Sequence, residues 1–306
     1  MAIDPLAQAW LDEQAARGLA PAHLSTPEAV RASRVPPPPG PEVHRAEDMA
    51  IAGPDGPVPV RVYWPSDAPA LPILVWYHGG GWVTGTLDIA DATARGLCNL
   101  GECIVISVDY RLAPEHPYPA GRDDSYAAAV WAYQNASRIG GDASRIAVGG
   151  DSAGGTLATV VAQMVRDRAG IPLRYQLLVY PVTDAAMDTA SYRENTTYGL
   201  TPDSMRWYWN LYVPAGVDRG DAYISPLHAK SLEGLPPAYV VTAECDPLRD
   251  EGNAYAAALR AAGVPVESEC FAGQIHGFFG NAHYFPEAAR AVETAAVHLR
   301  KAFAAP

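Results

Sequence analysis

The sequence V-G-G-D-S-A-G-G at residues 148–155 contains the pattern G-x-S-x-G, with Ser152 at its centre. Residues 144–148 before it predict a short strand, and residues 156–165 after it predict a helix. A sharp turn from a strand into a helix exposes a serine hydroxyl, and glycines permit the backbone angles and close packing that such a turn requires. Ser152 is therefore a candidate nucleophile, although a turn without catalytic function would show the same pattern.

Predicted strands and helices alternate along the rest of the chain. Continuous apolar runs at residues 72–77 and 103–109 predict strands buried on both faces. Further strands are predicted at residues 175–180, 238–243 and 264–271. Helices are predicted at residues 88–100, 123–135, 249–262 and 286–303. A hairpin with a G-P-D-G turn precedes them, at residues 47–64. This alternation predicts an α/β fold with a mostly parallel central sheet and helices on both faces.

Two segments depart from this alternation. Residues 4–18 and a stretch beginning at Thr26 predict N-terminal helices, and the run V-P-P-P-P-G-P at residues 35–41 predicts a linker. Between residues 181 and 226 no buried strand is predicted, and a helix rich in aromatic residues begins at Thr201. Both segments are expected to form a cap over the carboxyl edge of the sheet, where open α/β sheets bind ligands.

The predicted domain organisation follows from these segments. Residues 1–45 are expected to hold the N-terminal cap helices and the proline-rich linker. Residues 46–306 are expected to form the catalytic α/β domain, with a cap insertion at about residues 182–226.

Composition excludes several classes of partner. The 306-residue chain has a net charge of −12 and no Lys/Arg cluster that could follow a phosphate backbone, so neither nucleic acid nor an anionic membrane is an expected partner. No apolar run reaches the roughly 20 residues that span a bilayer, and no signal peptide is recognised. A soluble, cytoplasmic protein is expected. The cysteines lack C-x-x-C spacing and are predicted to be buried free thiols rather than disulfides: Cys98, Cys103, Cys245 and Cys270.

A serine nucleophile needs a base that accepts its proton. His276 follows the last predicted strand in the loop G-Q-I-H-G-F, at the edge of the sheet where Ser152 is expected. His283 is the nearest competitor, but it lies farther from the end of that strand. Other histidines lie in helices, linkers or loops and are predicted to be structural or exposed: His23, His44, His116, His228 and His298. His276 is therefore the predicted base.

The base in turn needs a carboxylate that orients it. Asp246 follows the predicted strand at residues 238–243, directly before a predicted helix. Alternatively, Asp246 could act only as the N-cap of that helix. Glu244 and Asp250 are the alternative candidates for this carboxylate. Asp250 is expected instead to interact with the helix dipole in the first helical turn. Asp246 is the predicted triad carboxylate.

An acyl-transfer site also needs hydrogen-bond donors for its oxyanion. The sequence H-G-G-G-W at residues 78–82 directly follows a predicted strand, and its glycines let backbone N–H groups approach a substrate closely. With the Ala153 N–H it would form an oxyanion hole; a flexible glycine-rich turn is the alternative. The order of Ser152, Asp246 and His276 along the chain is the one expected of an α/β hydrolase.

Five sequence blocks, taken together, resemble the hormone-sensitive-lipase-like esterases, bacterial family IV. The blocks are H-G-G-G-W at 78–82, D-Y-R-L-A-P-E-H-P-Y-P-A at 109–120, G-D-S-A-G-G at 150–155, D-P-L-R-D-E-G at 246–252 and H-G-F at 276–278. The resemblance implies an α/β-hydrolase fold with a helical cap and carboxylesterase activity on short acyl chains. Dimers are frequent in such families, so a homodimer is a possible state of this protein. By it, the triad is Ser152, Asp246 and His276, and the oxyanion donors are Gly80, Gly81 and Ala153.

The substrate is less well determined by the sequence. Four aromatic side chains either line an acyl or alcohol pocket or pack the cap onto the sheet: Trp82, Trp207, Trp209 and Tyr212. We expect a serine carboxylesterase that cleaves short- to medium-chain acyl esters of small molecules through an acyl-enzyme, with no metal or other cofactor. An amidase, deacetylase or lactonase would use the same triad. A non-catalytic binding protein of the same fold is the remaining alternative, but such receptors depart from the pattern at the catalytic histidine, whereas His276 is present here.

Overall fold

The computed structural model of the protein describes residues 2–305, apart from the side chain of Ala169. Within these residues, eight strands form one sheet in the order β1-β2-β4-β3-β5-β6-β7-β8. The strands are β1 (Arg45–Gly53), β2 (Gly56–Trp64), β3 (Leu71–Tyr77), β4 (Ile104–Val108), β5 (Gly141–Asp151), β6 (Leu173–Val179), β7 (Ala238–Cys245) and β8 (Val266–Ile275). The α-helices are α1 (Pro5–Ala16), α2 (Pro27–Ser33), α3 (Leu87–Gly101), α4 (Ala120–Asn135), α5 (Ala153–Met164), α6 (Ala190–Glu194), α7 (Pro202–Tyr212), α8 (Arg249–Ala261) and α9 (Pro286–Ala304).

The sheet is parallel except at one edge. β1 and β2 form an antiparallel hairpin whose end pairs Gly53 with Gly56, and β2 is antiparallel to β4. The other neighbouring strands, from β4 through β3, β5, β6 and β7 to β8, are parallel. The carboxyl ends of these six strands therefore lie at one edge, and the predicted mostly parallel sheet is confirmed.

Alternate side chains of the strands divide the core into two layers. On β3, Ile73 and Val75 belong to the cluster that contains side chains of α4, α5 and α8, whereas Leu74 and Trp76 belong to the cluster that contains side chains of α3 and α9. Successive side chains of a strand point to opposite faces, so a strand that is apolar throughout needs helices on both sides. No helix within residues 2–305 is both long and apolar enough to cross a bilayer.

The N-terminal segment contacts the helix of the insertion and the loop after β3. His23 Nδ1 lies 3.3 Å from Ser204 Oγ, which is on α7. The Arg31 guanidinium donates to the Val83 carbonyl at 2.8 Å and pairs with Glu115 at 2.7 Å. The two segments that were predicted to form the cap are therefore in contact with each other and with the main domain.

The cysteines follow the prediction with one exception. Cys98, Cys103 and Cys245 are buried free thiols, whereas Cys270 is a free thiol that is exposed. The prediction that Cys270 is buried is wrong because β8 is an edge strand of the sheet, and the side chains in the first half of this strand are largely exposed or only partly buried.

Candidate active site

Ser152 lies in the tight turn between β5 and α5. Its backbone has φ 55° and ψ −121°, a region that non-glycine residues rarely adopt and that costs on the order of 1–3 kcal/mol. Neighbouring glycines make this turn possible. A Cβ on Gly150 would collide with the Gly154 carbonyl, and a Cβ on Gly154 would collide with the Tyr77 carbonyl.

Three side chains from different strand ends meet at this turn. His276 Nε2 lies 2.9 Å from Ser152 Oγ, and His276 Nδ1 lies 2.8 Å from Asp246 Oδ2. Asp246 directly follows β7 and His276 directly follows β8, so the parallel sheet brings both to the edge at which β5 ends. The structure thus brings together the residues predicted as nucleophile, carboxylate and base.

The orientation of Asp246 suits a triad. Its side chain is fully buried, and Oδ1 accepts the Leu248 N–H at 2.9 Å, which leaves Oδ2 for His276. An imidazole that donates from Nδ1 to a carboxylate has Nε2 free to accept the serine proton. The N-cap position of α8 is occupied by Leu248 rather than by Asp246.

The competing ionisable side chains are engaged elsewhere or exposed. Asp250 pairs with Arg249 at 2.8 Å. Glu244 Oε2 accepts the Gly273 N–H at 2.7 Å, and His283 is exposed. Within residues 2–305, no three His, Cys, Asp or Glu side chains converge in a way that could hold a metal ion.

Tyr180 is a further neighbour of the triad. It follows β6 at the same edge of the sheet, and its ring centroid lies 4.6 Å from that of His276. Packing against the imidazole restricts the orientation of that ring. No role is predicted for Tyr180 from the sequence, because an aromatic residue at the end of an apolar strand is normally part of the core.

The loop after β3 contains backbone donors without partners. Gly80 has φ 123° and Gly81 has φ 60°, both in the region that favours glycine. In the described part of the chain, neither N–H donates to a protein acceptor. Ala153 is the first residue of α5, where an N–H has no acceptor inside the helix. The role of these three N–H groups as oxyanion donors stays a prediction.

Three of the four aromatic side chains predicted for the pocket form a packed cluster. The Trp82 ring lies 4.6 Å from that of Trp209 and 4.3 Å from that of Tyr212, and all three side chains are at most 2% exposed. Trp207 is partly buried. The cluster joins α7 to the H-G-G-G-W loop, and contact of these side chains with substrate stays a prediction.

Tyr208, which was not among the predicted pocket residues, lies against the donor loop. It is buried, and its ring occupies the space that a Cβ on Gly81 would need. A signal was present in the sequence, because Tyr208 and Tyr212 are four residues apart and therefore share one face of α7.

Glu251 is a buried carboxyl group on α8. It is 1% exposed, and Oε1 accepts the Thr183 N–H at 2.8 Å. Burial, reinforced by the charges of Asp184 and Asp246, raises the pKa of Glu251 well above its usual range. The folded protein therefore keeps this side chain protonated at pH values where the unfolded chain has lost the proton.

We expect Glu251→Gln to stabilise the protein relative to wild type as the pH rises. Above the ordinary pKa of a glutamate, the folded protein binds more protons here than the unfolded chain, so the free energy of unfolding falls with increasing pH. Glutamine keeps the acceptor for the Thr183 N–H and does not titrate. The measurement is Tm between about pH 4.5 and 8 for both proteins, with the partly exposed Glu287→Gln as a matched control. A Tm difference that is constant across this range would contradict the prediction.

Comparison with known proteins identifies the family. Residues 74–280 match the family model of the alpha/beta hydrolase fold. Carboxylesterase NlhH of Mycobacterium tuberculosis is 45% identical over 98% of this chain and 96% of its own length. A solved esterase from the archaeon Pyrobaculum calidifontis has a TM-score of 0.92 at 39% identity and covers 98% of this chain and 99% of that one. An alpha/beta hydrolase enzyme from the metagenome of Lake Arreo has a TM-score of 0.94 at 40% identity and covers 99% of both chains. The chain therefore belongs to the α/β-hydrolase-fold family, among its hormone-sensitive-lipase-like esterases.

Proposed function

We propose that this protein hydrolyses carboxylic esters of small molecules by transferring the acyl group to Ser152. The observation that carries the proposal is the hydrogen-bonded chain from Ser152 Oγ through His276 to Asp246, with distances of 2.9 and 2.8 Å. The near full-length identity with carboxylesterases supports the same reaction.

In the first step, His276 Nε2 accepts the Ser152 proton while Oγ attacks the ester carbonyl carbon. The carbonyl oxygen becomes an oxyanion, to which the three N–H groups donate; loss of one such donor costs roughly 2.7–4 kcal/mol in a serine protease of another fold. The Asp246 carboxylate stabilises the imidazolium. The bond to the leaving oxygen then breaks, His276 protonates that oxygen, and the alcohol departs from the acyl-enzyme.

In the second step, water replaces the alcohol. His276 Nε2 removes a proton from the water as its oxygen attacks the acyl carbon, and the same donors hold the second oxyanion. The bond from the acyl carbon to Ser152 Oγ breaks, Oγ recovers its proton from His276, and the carboxylic acid is released.

Short- to medium-chain acyl groups are the proposed substrates. Ser152 keeps only 7% of its surface exposed, and the buried Tyr208 ring lies directly against Gly81. The packed cluster of Trp82 with the α7 aromatics adjoins the same loop. The space around the reacting carbonyl is therefore limited.

We expect p-nitrophenyl acetate and butyrate to show higher kcat/KM than the octanoate, and the octanoate higher than the palmitate. Tyr208→Ala should move the preference towards longer esters, because it opens space beside Gly81. Tyr133→Ala, a change on α4 at a side chain that is 39% exposed, is the matched control and should leave the profile unchanged. Highest activity on the palmitate would overturn the proposed chain length.

The same panel separates the alternative activities. An amidase, deacetylase or lactonase would form its intermediate on the same serine, so matching p-nitroanilides, acetylated amines and lactones are included. Faster turnover of any of these than of the esters would replace the proposed substrate class. A non-catalytic binding protein would hydrolyse none of them.

We further propose that residues 1–45 and 182–226 act together as a cap on the α/β domain. The contact of His23 with Ser204 joins the two cap segments, and the contact of Arg31 with Val83 joins the N-terminal segment to the α/β domain. A small-molecule ester is the proposed partner, and the net charge of −12 disfavours nucleic acid. A homodimer and a cytoplasmic location stay predictions; light scattering tests the first and fractionation of the cell the second.

A further inference from the structure

The carboxylate of Asp151 lies next to Ser152 in the chain, and the triad mechanism does not use it. Asp151 is the last residue of β5, and its Oδ1 accepts the Gly79 N–H at 3.0 Å. Gly79 immediately precedes Gly80, so this hydrogen bond links the nucleophile turn to the loop that holds two oxyanion donors. A Cβ on Gly79 would collide with Asp151 Oδ2, so the carboxylate and the loop are in close contact.

Tyr110 contacts this loop at His78. The Tyr110 hydroxyl donates to the His78 carbonyl at 2.7 Å, and the Tyr110 ring stacks on the His78 imidazole at a centroid distance of 4.4 Å. Burial lowers the pKa of His78 to about 4, so this imidazole is neutral near physiological pH. Asp151 thus supplies an anionic contact at Gly79, whereas the contacts of Tyr110 with neighbouring His78 are made by neutral groups.

Titratable and charged side chains from several elements face Asp151. His276 and Arg34 attract its carboxylate, and the Tyr110 and Tyr180 side chains lie within its field. Burial raises the pKa of Asp151 to about 6, and the hydrogen bond from the Gly79 N–H and, to a smaller extent, the charge of His276 oppose this shift. The carboxyl group is therefore ionised above about pH 6. The imidazolium that forms on His276 during the proposed reaction therefore lies within the field of the Asp151 carboxylate.

We propose that Asp151 is a positioning residue for the hydrolytic reaction. Through Gly79 it holds the oxyanion donors in the geometry that the tetrahedral intermediate requires, and through its charge it stabilises the imidazolium that forms when Ser152 attacks. The inference rests on the proposed function and deepens it, because it adds a second carboxylate to the same site.

Asp151→Ala tests the contact with the loop. Loss of the acceptor should lower kcat by a factor on the order of ten to one hundred, with little change in KM, since only the transition state uses the misplaced donors. Affinity for a trifluoromethyl ketone, which forms a tetrahedral adduct on the serine, should fall by a similar factor.

Asp151→Asn tests the charge. Asparagine is nearly isosteric and keeps an acceptor for the Gly79 N–H, so kcat should recover to within about threefold of wild type. The acid limb of the kcat/KM profile should move to lower pH by roughly half a unit, because the imidazolium has lost a nearby negative charge. A residue that only supports the fold would not shift this limb. Because the asparagine variant preserves shape, the test does not depend on whether the alanine variant folds.

Asp142→Asn is the matched control. Asp142 lies near the start of β5 and pairs with Arg145 at 2.7 Å, so its kcat and pH profile should match those of wild type. If Asp151→Ala keeps the kcat and the ketone affinity of wild type, the contact with Gly79 does not position the oxyanion donors. If the acid limb of Asp151→Asn is unshifted, the charge of Asp151 has no role in the reaction. Ser152→Ala separates this inference from the proposed function. Turnover in that variant refutes the function. If Ser152→Ala is inactive but both Asp151 variants keep the kcat and pH profile of wild type, the positioning role alone is refuted.

Discussion

Ser152→Ala is expected to reduce ester turnover by a factor on the order of 10⁵ to 10⁶, the loss seen when the nucleophile of a serine triad is removed. Ser152 Oγ is the atom that lies 2.9 Å from His276 Nε2, and alanine has no group to replace it. The fold should remain intact, because Ser152 is held in the turn by its backbone N–H, which donates to the Val179 carbonyl at 2.8 Å.

Two measurements check this expectation. The first is kcat/KM on p-nitrophenyl butyrate together with Tm, with Ser144→Ala, an exposed serine on the same strand, as the matched control. The second is mass spectrometry after treatment with an organophosphonate ester, which should leave one adduct on wild type and none on Ser152→Ala. Retained turnover in a clean Ser152→Ala preparation would remove Ser152 from the mechanism.

Asp246→Asn is expected to lower kcat by about 10⁴-fold with little change in the fold. Asp246 Oδ2 accepts from His276 Nδ1 at 2.8 Å, and this contact keeps Nε2 free to accept a proton. An asparagine amide that donates to Nδ1 would favour the other tautomer, whose Nε2 carries a proton and cannot act as the base.

Asp250→Asn is the control that makes the result specific. It lies four residues along the same segment and pairs with Arg249, so its kcat should stay within a few-fold of wild type. Measurements of kcat for both variants at several pH values decide the question. Comparable losses in the two variants would contradict the assignment of Asp246 and indicate a general disturbance of the loop after β7.

Much of the fold could be predicted because the decisive signals are local. The apolar runs predicted β3 and β4 to within one residue at each end, since such strands are buried on both faces. The G-x-S-x-G pattern placed the turn correctly because its strained angles need glycine neighbours. Cys270 was mispredicted because no local pattern shows that β8 is the outermost strand.

The proximity of Ser152, Asp246 and His276 could also be predicted, for a reason of topology. In a parallel sheet, residues that follow strands all arrive at one edge, so Asp246 and His276 could be placed near Ser152 without a knowledge of any distance. The same reasoning did not reach Tyr180 or Tyr208. Aromatic side chains in apolar segments are usually core residues, and only their neighbours in space show that they also touch His276 and Gly81.

The chain order of strands, helices and glycine-rich turns was therefore enough to predict the α/β fold and the meeting of Ser152, His276 and Asp246 at one edge of the sheet. Only the tertiary structure showed that α7 closes over Gly81, and that the Asp151 carboxylate bonds to the Gly79 N–H 72 residues away in sequence. The physical reason is range. Backbone strain and apolar periodicity act within a few residues and leave a local pattern, whereas a hydrogen bond between distant segments depends on how the whole sheet brings two loops together.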